Sequence, residues 1–280
     1  MQEEKPPEPV IEWRKKMRKL TYALVPVCII AGIVFLALTL YFHPWTPDLG
    51  APSSPQRMFY KNIFEGLLLK GPLAILAATI VARHTHWLAP PGKRDPTQVY
   101  PLFSPYRVIA IVFCSALFAS LGVLSYTFFD ACAAGAAFAC MFFDPITGFF
   151  TLWFGDTLRA LIWGTGSPIE WLLLGRGVSD GSTWIWLGLF YWLFKESRWV
   201  KKLGAGKRLT VLIVFWVIVY WVWRFIYMFP IWLWIDPPPA LWTRQIWMVT
   251  SFLPSGTTAS IVALIISETL ERQLGARKRF

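Results

Sequence analysis

The sequence predicts an all-α polytopic membrane protein of about eight transmembrane segments. Three observations carry that prediction. Of 280 residues, 56% are hydrophobic and 15% charged, where a soluble domain carries about 25% charged residues. Apolar runs close to the roughly 20 residues that cross a bilayer recur along the whole chain. Lysine and arginine gather between those runs rather than within them. A net charge of +11 would suggest nucleic acid in a soluble protein. Here the basic loops flank spans, as the positive-inside rule expects, so no nucleic-acid partner is predicted. No polar stretch is long enough for a separate soluble domain.

Residues 1–20 read as a basic tail with Arg14, Lys15, Lys16, Arg18 and Lys19. The apolar run over 21–42 lacks a small-x-small cleavage site near Tyr41–Pro47, so it reads as a retained span. A Pro-rich loop covers 43–61. The second span, 62–82, is interrupted at Lys70-Gly71-Pro72, read as a proline kink with Lys70 snorkelling. Residues 21–82 are thus two additional spans. A polar linker, 83–106, carries His84 and His86, and two histidines alone make a poor metal site.

The remaining membrane domain is 107–273. Its segments are a span over 107–128, a short apolar run over 131–143 and a helix over 146–164. A Gly/Ser loop over 165–181 with Glu170, Arg176 and Asp180 follows. Spans over 182–197, 209–229 and 246–269 complete it, with a basic cytoplasmic loop of Lys195, Arg198, Lys201, Lys202, Lys207 and Arg208 after the first, Asp236-Pro237-Pro238-Pro239 in the last loop and a break or bend at Pro254-Ser255-Gly256. Residues 274–280 are a second basic tail. The four cysteines form no CxxC pair, so neither zinc nor redox chemistry is indicated, and no cofactor is predicted.

The run over 131–143 is short for a span. If it crosses, 20 of the 27 Lys/Arg fall on one side, and both termini are cytoplasmic in a cell membrane. That orientation places Asp156, Arg159 and Trp163 in the outer half of their helix, on one face. Trp216, Tyr220, Arg224 and Tyr227 form one stripe of the 209–229 span. Ionisable residues inside a span are costly and mark functional sites by default. The plain alternative is an ion pair that fixes helix packing, with the aromatic stripe facing lipid.

Phe143-Asp144-Pro145-Ile146-Thr147-Gly148, running on to Gly155-Asp156-Thr157-Leu158, resembles the turn and Gly-Asp segment of the S component of energy-coupling factor (ECF) vitamin transporters. The turn here reads Asp-Pro rather than Gly-Pro, and two extra spans precede the domain. The resemblance implies a compact six-helix, non-enzymatic subunit of a prokaryotic uptake system. Such a subunit captures a vitamin or precursor from outside and docks on a coupling subunit driven by two ATPases. It also implies a docking face of small residues on the first core helix, here Ser115, Ala116, Ala119 and Ser120, whose plain reading is internal packing. Arginine grips carboxylate or phosphate in bidentate fashion. The expected ligand is therefore anionic or ring-bearing, held by Asp156, Arg159, Trp163, Tyr220, Arg224 and Tyr227. A structural or accessory subunit of a larger complex is the alternative. A membrane enzyme is disfavoured, because no histidine lies inside a predicted span.

Overall fold

Long apolar runs without strand-like alternation build helices throughout, and no strand occurs among the described residues. The computed structural model describes residues 7–42, 60–125, 131–162, 169, 172–235, 246 and 248–276. Helix α1 spans Glu8–Phe42. A π-helical segment, Tyr60–Lys70, runs directly into α2, Gly71–Arg83. After the linker come α3, Pro105–Ser125, and the short α4, Cys132–Phe138, which ends in a π turn, Ala139–Phe143. Helix α5 is Pro145–Ile162, and a third π segment, Leu172–Gly177, leads into α6, Val178–Lys195. The one-turn α7, Arg198–Lys201, precedes α8, Ala205–Ile235. A last π turn, Met248–Phe252, opens α9, Leu253–Ala276.

Among the described residues, five stretches are long and apolar enough to cross a membrane: Glu8–Leu38, Glu65–Arg83, Pro105–Gly122, Ala205–Phe225 and Val249–Leu274. Helices α5 and α6, at 18 residues each, and the apolar Cys132–Phe143 pack among them. Six helices close a ring in which α3 packs on α5, α5 on α6, α6 on α8, α8 on α9, α9 on α4 and α4 back on α3. The core inside holds Met141, Trp184, Trp192, Trp216 and Tyr220. Alanine and glycine make α4 thin enough to lie almost wholly buried. Helices α1 and α2 form a separate pair, with α2 docked on α6.

Three expectations differ from the structure. Much of the basic segment 1–20 is helix from Glu8 onward. Trp13 Nε1 donates to the Ala82 carbonyl at 2.7 Å, and Thr21 Oγ1 to Thr79 Oγ1 at 3.1 Å, tying α1 to α2. The glycines of 165–181 do not all make a loop, since the chain is helical from Leu172. There Gly175 meets Gly66 so closely that a Cβ on Gly66 would collide with the Gly175 backbone. Glycine therefore serves a close helix contact at this point. Lys195 ends α6 as a buried side chain rather than standing in an exposed loop. At Pro254 the expected break or bend falls where π winding ends at Phe252 and the α-helix starts at Leu253.

Candidate functional site

The Asp144–Pro145 turn is built as an N-cap. Asp144 has extended backbone, with φ −169° and ψ 165°. Its Oδ1 accepts from the amides of Ile146 at 2.9 Å and Thr147 at 3.0 Å, and its Oδ2 from Thr147 Oγ1 at 2.8 Å. Those amides have no partner within the helix, so the cap satisfies them. Buried Arg107 donates through Nε to the same carboxylate at 3.1 Å and through Nη2 to the Leu88 carbonyl at 3.0 Å. The turn thus ties α3, α5 and the 83–106 linker together.

Further along α5, Asp156 and Arg159 pair with each other, as residues three apart on one helix face can. Asp156 is buried, while the Arg159 side chain is 18% exposed. Arg159 also lies 3.6 Å from Cys132 Sγ and 5.7 Å from the Phe118 ring centroid, and it fills the space beside Gly122. These contacts set the pair among α3, α4 and α5.

Another part of the ring holds the α8 residues. The stripe Trp216, Tyr220 and Arg224 faces inward, with Trp216 and Tyr220 wholly buried and Arg224 5% exposed. The Arg224 guanidinium stands 5.6 Å from the Trp184 ring, 5.5 Å from Tyr220 and 5.1 Å from Phe252. Three aromatic faces around one buried cation make a strong cation–π cage. Tyr227 turns elsewhere, with its hydroxyl 2.6 Å from Ser182 Oγ and its ring stacked on Trp223. The contacts described for Arg159 and those for Arg224 share no residue. Trp163, Glu170 and the 236–239 loop lie outside the described residues.

The four small residues of α3 divide. Ser115 and Ala119 are buried, and Ser115 Oγ donates to the Thr151 carbonyl at 3.3 Å, inside the protein. Ala116 and Ser120 are exposed beside Ile109, Val112 and Phe113.

A cluster that sequence reasoning passed over lies between the α1–α2 pair and the ring. Lys70 does not snorkel; it is 2% exposed and paired with Glu65, itself 2% exposed. Its ammonium donates to Ser179 Oγ at 2.8 Å and sits 4.7 Å from the centre of the Tyr227 ring. Ser179 Oγ in turn donates to Glu65 Oε1 at 3.0 Å. The missed signal was the π-helix. An N–H there bonds five residues back, so Glu65 and Lys70 stand one turn apart. In an α-helix the same spacing puts them about 140° apart.

A second network sits at the basic end. Lys195 bridges Glu268 and Glu271, each at 2.6 Å. Arg94 pairs with Glu271, donates to the carbonyls of Phe142 and Phe143, and lies 4.3 Å over the Trp192 ring. Tyr191 donates to Glu268 at 2.8 Å, and Arg208 reaches it at 3.4 Å. In the linker, His84 stacks on Trp87 at 4.3 Å. Burial first, then the charges of His86, Arg83 and Arg14, pull its pKa down to about 4. Among the described residues no three His, Cys, Asp or Glu side chains gather to hold a metal ion.

Fold and sites together define an all-helical membrane protein with several buried charged clusters. Compared with protein families, curated proteins and solved structures, the chain matches none. The ECF resemblance therefore rests on the Asp144–Gly148 turn and the Gly155–Leu158 segment.

Proposed function

We propose that the chain is the solute-binding membrane subunit of an ATP-driven uptake system, of the kind its sequence resembles. It has eight spans and cytoplasmic termini in a prokaryotic cell membrane, and takes up a small anionic or ring-bearing micronutrient. The observation that carries this reading is Arg224, a permanent cation buried in the ring and faced by Trp184, Tyr220 and Phe252. Guanidinium groups bind carboxylate or phosphate, and aromatic faces stack on flat rings. Six helices in a ring, with a short second helix leading through a turn into the third, agree with the resemblance. In this reading Arg224 and Tyr220 meet the ligand. Asp156 and Arg159 hold α5 to α3 and α4, and Tyr227 borders the Lys70 cluster.

The test is mass spectrometry of small molecules carried through purification, followed by binding measurements on the wild type, Arg224→Ala and Arg159→Ala. Loss of a charge-assisted contact weakens binding by about 10- to 100-fold. That loss is expected for Arg224→Ala, together with co-purification of an ATPase pair. Unchanged affinity in Arg224→Ala overturns the assignment.

A second reading, an accessory subunit of a larger complex, is favoured by one observation. Ala116 and Ser120 lie on an exposed apolar face of α3, where small residues permit close approach of another helix. Co-purification with a membrane complex that lacks ATPases would select it.

A further inference from the structure

A groove of about 590 Å³ runs between α6 and α8 on the outer surface of the ring. Phe190 and Phe194 of α6 and Phe215, Val219 and Trp223 of α8 form its walls, and Ser197 lines one end. Phe194 and Phe215 stack at 3.8 Å across its floor. Its rim is open, with Leu193 43%, Ile218 57% and Val222 51% exposed.

The Ser197 end is where the chain becomes basic. Between 195 and 208 stand six Lys/Arg and one Glu. Lys195 is engaged by Glu268 and Glu271, Lys201 by Glu196 and Arg208 by Glu268. Lys202 and Lys207 are exposed and have no acidic partner among the described residues. They flank the start of α8, where nothing lies within 4 Å of a Cβ placed on Gly204 or Gly206. The Arg208 amide is the donor to the Gly204 carbonyl. The amides of Ala205, Gly206 and Lys207 therefore have no partner within the helix, at its positive end.

We propose that this surface is a binding site for an anionic phospholipid. One acyl chain lies in the α6–α8 groove, and the phosphate meets Lys202, Lys207 and the first turn of α8. Charge complementarity selects the occupant, because the apolar groove ends at Ser197, in the segment that carries two cations without an acidic partner among the described residues and amides without a partner in the helix. Length agrees. From Lys207 to Trp223 is 16 residues, about 24 Å along a helix. One bilayer leaflet with its headgroups measures roughly 20–22 Å. Trp199, 57% exposed in α7, stands at the level expected of an interfacial anchor. A zwitterionic lipid would fill the groove equally well but would leave the lysines without a net countercharge. The preference is therefore for the anionic headgroup.

The experiment uses the full chain, delipidated in detergent and titrated with phosphatidylglycerol, phosphatidylcholine or inorganic phosphate. Native mass spectrometry and melting temperature are the readouts. The expected result is a saturable phosphatidylglycerol adduct that raises the melting temperature, with phosphatidylcholine weaker by tenfold or more. Lys202→Ala/Lys207→Ala is expected to lose about 30-fold in affinity for phosphatidylglycerol, about fivefold per lysine. Ile218→Trp, which fills the groove from its exposed rim, is expected to weaken both lipids. Should the lysine variant fail to fold, Ile218→Trp reads the same site from its apolar end. Equal binding of the two lipids by the wild type overturns the proposal. So does phosphatidylglycerol binding that both variants leave unchanged, or an equal stabilisation by inorganic phosphate alone.

Discussion

Replacing Lys70 by Met removes an ammonium that is 2% exposed and leaves Glu65, equally buried, without its countercharge. Breaking a buried pair from one side costs about 3–5 kcal/mol, because the remaining charge is desolvated and uncompensated. Ser179 Oγ still donates to Glu65 Oε1, but a hydroxyl returns only part of that loss. Glu65 Oε2 already has no hydrogen-bond partner and cannot take up the difference. At about 2–4 °C per kcal/mol for a chain of this size, the melting temperature should fall by roughly 6–20 °C. Replacing both partners by apolar side chains, Glu65→Leu/Lys70→Met, should recover most of it, since a well-packed apolar pair is often neutral against a buried ion pair. The assay is thermal unfolding in detergent of the wild type, both single variants and the double variant, read as a mutant cycle. A coupling above about 1 kcal/mol is expected for groups in one network. If Lys70→Met melts within 2 °C of the wild type, roughly the effect of 1 kcal/mol or less, the ammonium reaches the membrane surface. The buried cluster is then wrong.

Three further outcomes are expected. Gly66→Val should lower the melting temperature by more than an ordinary overpacking of about 1–3 kcal/mol, because the added atoms meet the Gly175 backbone; Gly206→Ala, with open space around it, should change little. Asp144→Ala removes the cap of α5 and strands buried Arg107, so it should destabilise by about 1 kcal/mol for the cap plus about 3–5 kcal/mol for the orphaned charge; a chemical or thermal melt reads the sum. His84 has a folded pKa of about 4 against 6.5 for the free side chain. Its neutral form is the folded one, so stability is full above about pH 6.5 and falls as pH drops towards 4, by up to about 3 kcal/mol. Melts between pH 7.5 and 4.5 should show that slope, and His84→Gln should flatten it.

Much of the architecture was legible because lipid-facing composition is a coarse and redundant signal. The short fourth segment, the Asp144–Pro145 turn and the interruption at Lys70–Gly71 all stand close to where the residue pattern put them. The i, i+4, i+8 stripe of Trp216, Tyr220 and Arg224 does face inward. What composition could not give was the partner of each charge. The three-residue spacing of Asp156 and Arg159 points to a site, and that spacing is also what lets them neutralise each other. The residue pattern puts Lys195 in a basic loop, yet its acids, Glu268 and Glu271, are more than seventy residues away on α9. Glycine misled in the opposite direction. Gly175 and Gly177 read as loop, but Gly175 lies in a helical segment whose backbone meets Gly66 too closely for any Cβ there.

The deepest miss has one physical origin. Four π-helical segments occur among the described residues, and each borders a place where something special is held. Lys70 ends the first. Phe142 and Phe143, whose carbonyls receive Arg94, end the second. Gly175, pressed on Gly66, lies in the third, and Phe252, beneath Arg224, ends the fourth. An i→i+5 hydrogen bond rotates every later side chain relative to an α-helical template. A scan at three- and four-residue spacing then assigns faces correctly only between such segments. Glu65 and Lys70 satisfy a five-residue spacing and no α-helical one, so the pair stays invisible to any argument built on 100° per residue. Buried charges in membrane helices that lack a partner at i+3 or i+4 should therefore be tested at i+5 before they are sent to the interface.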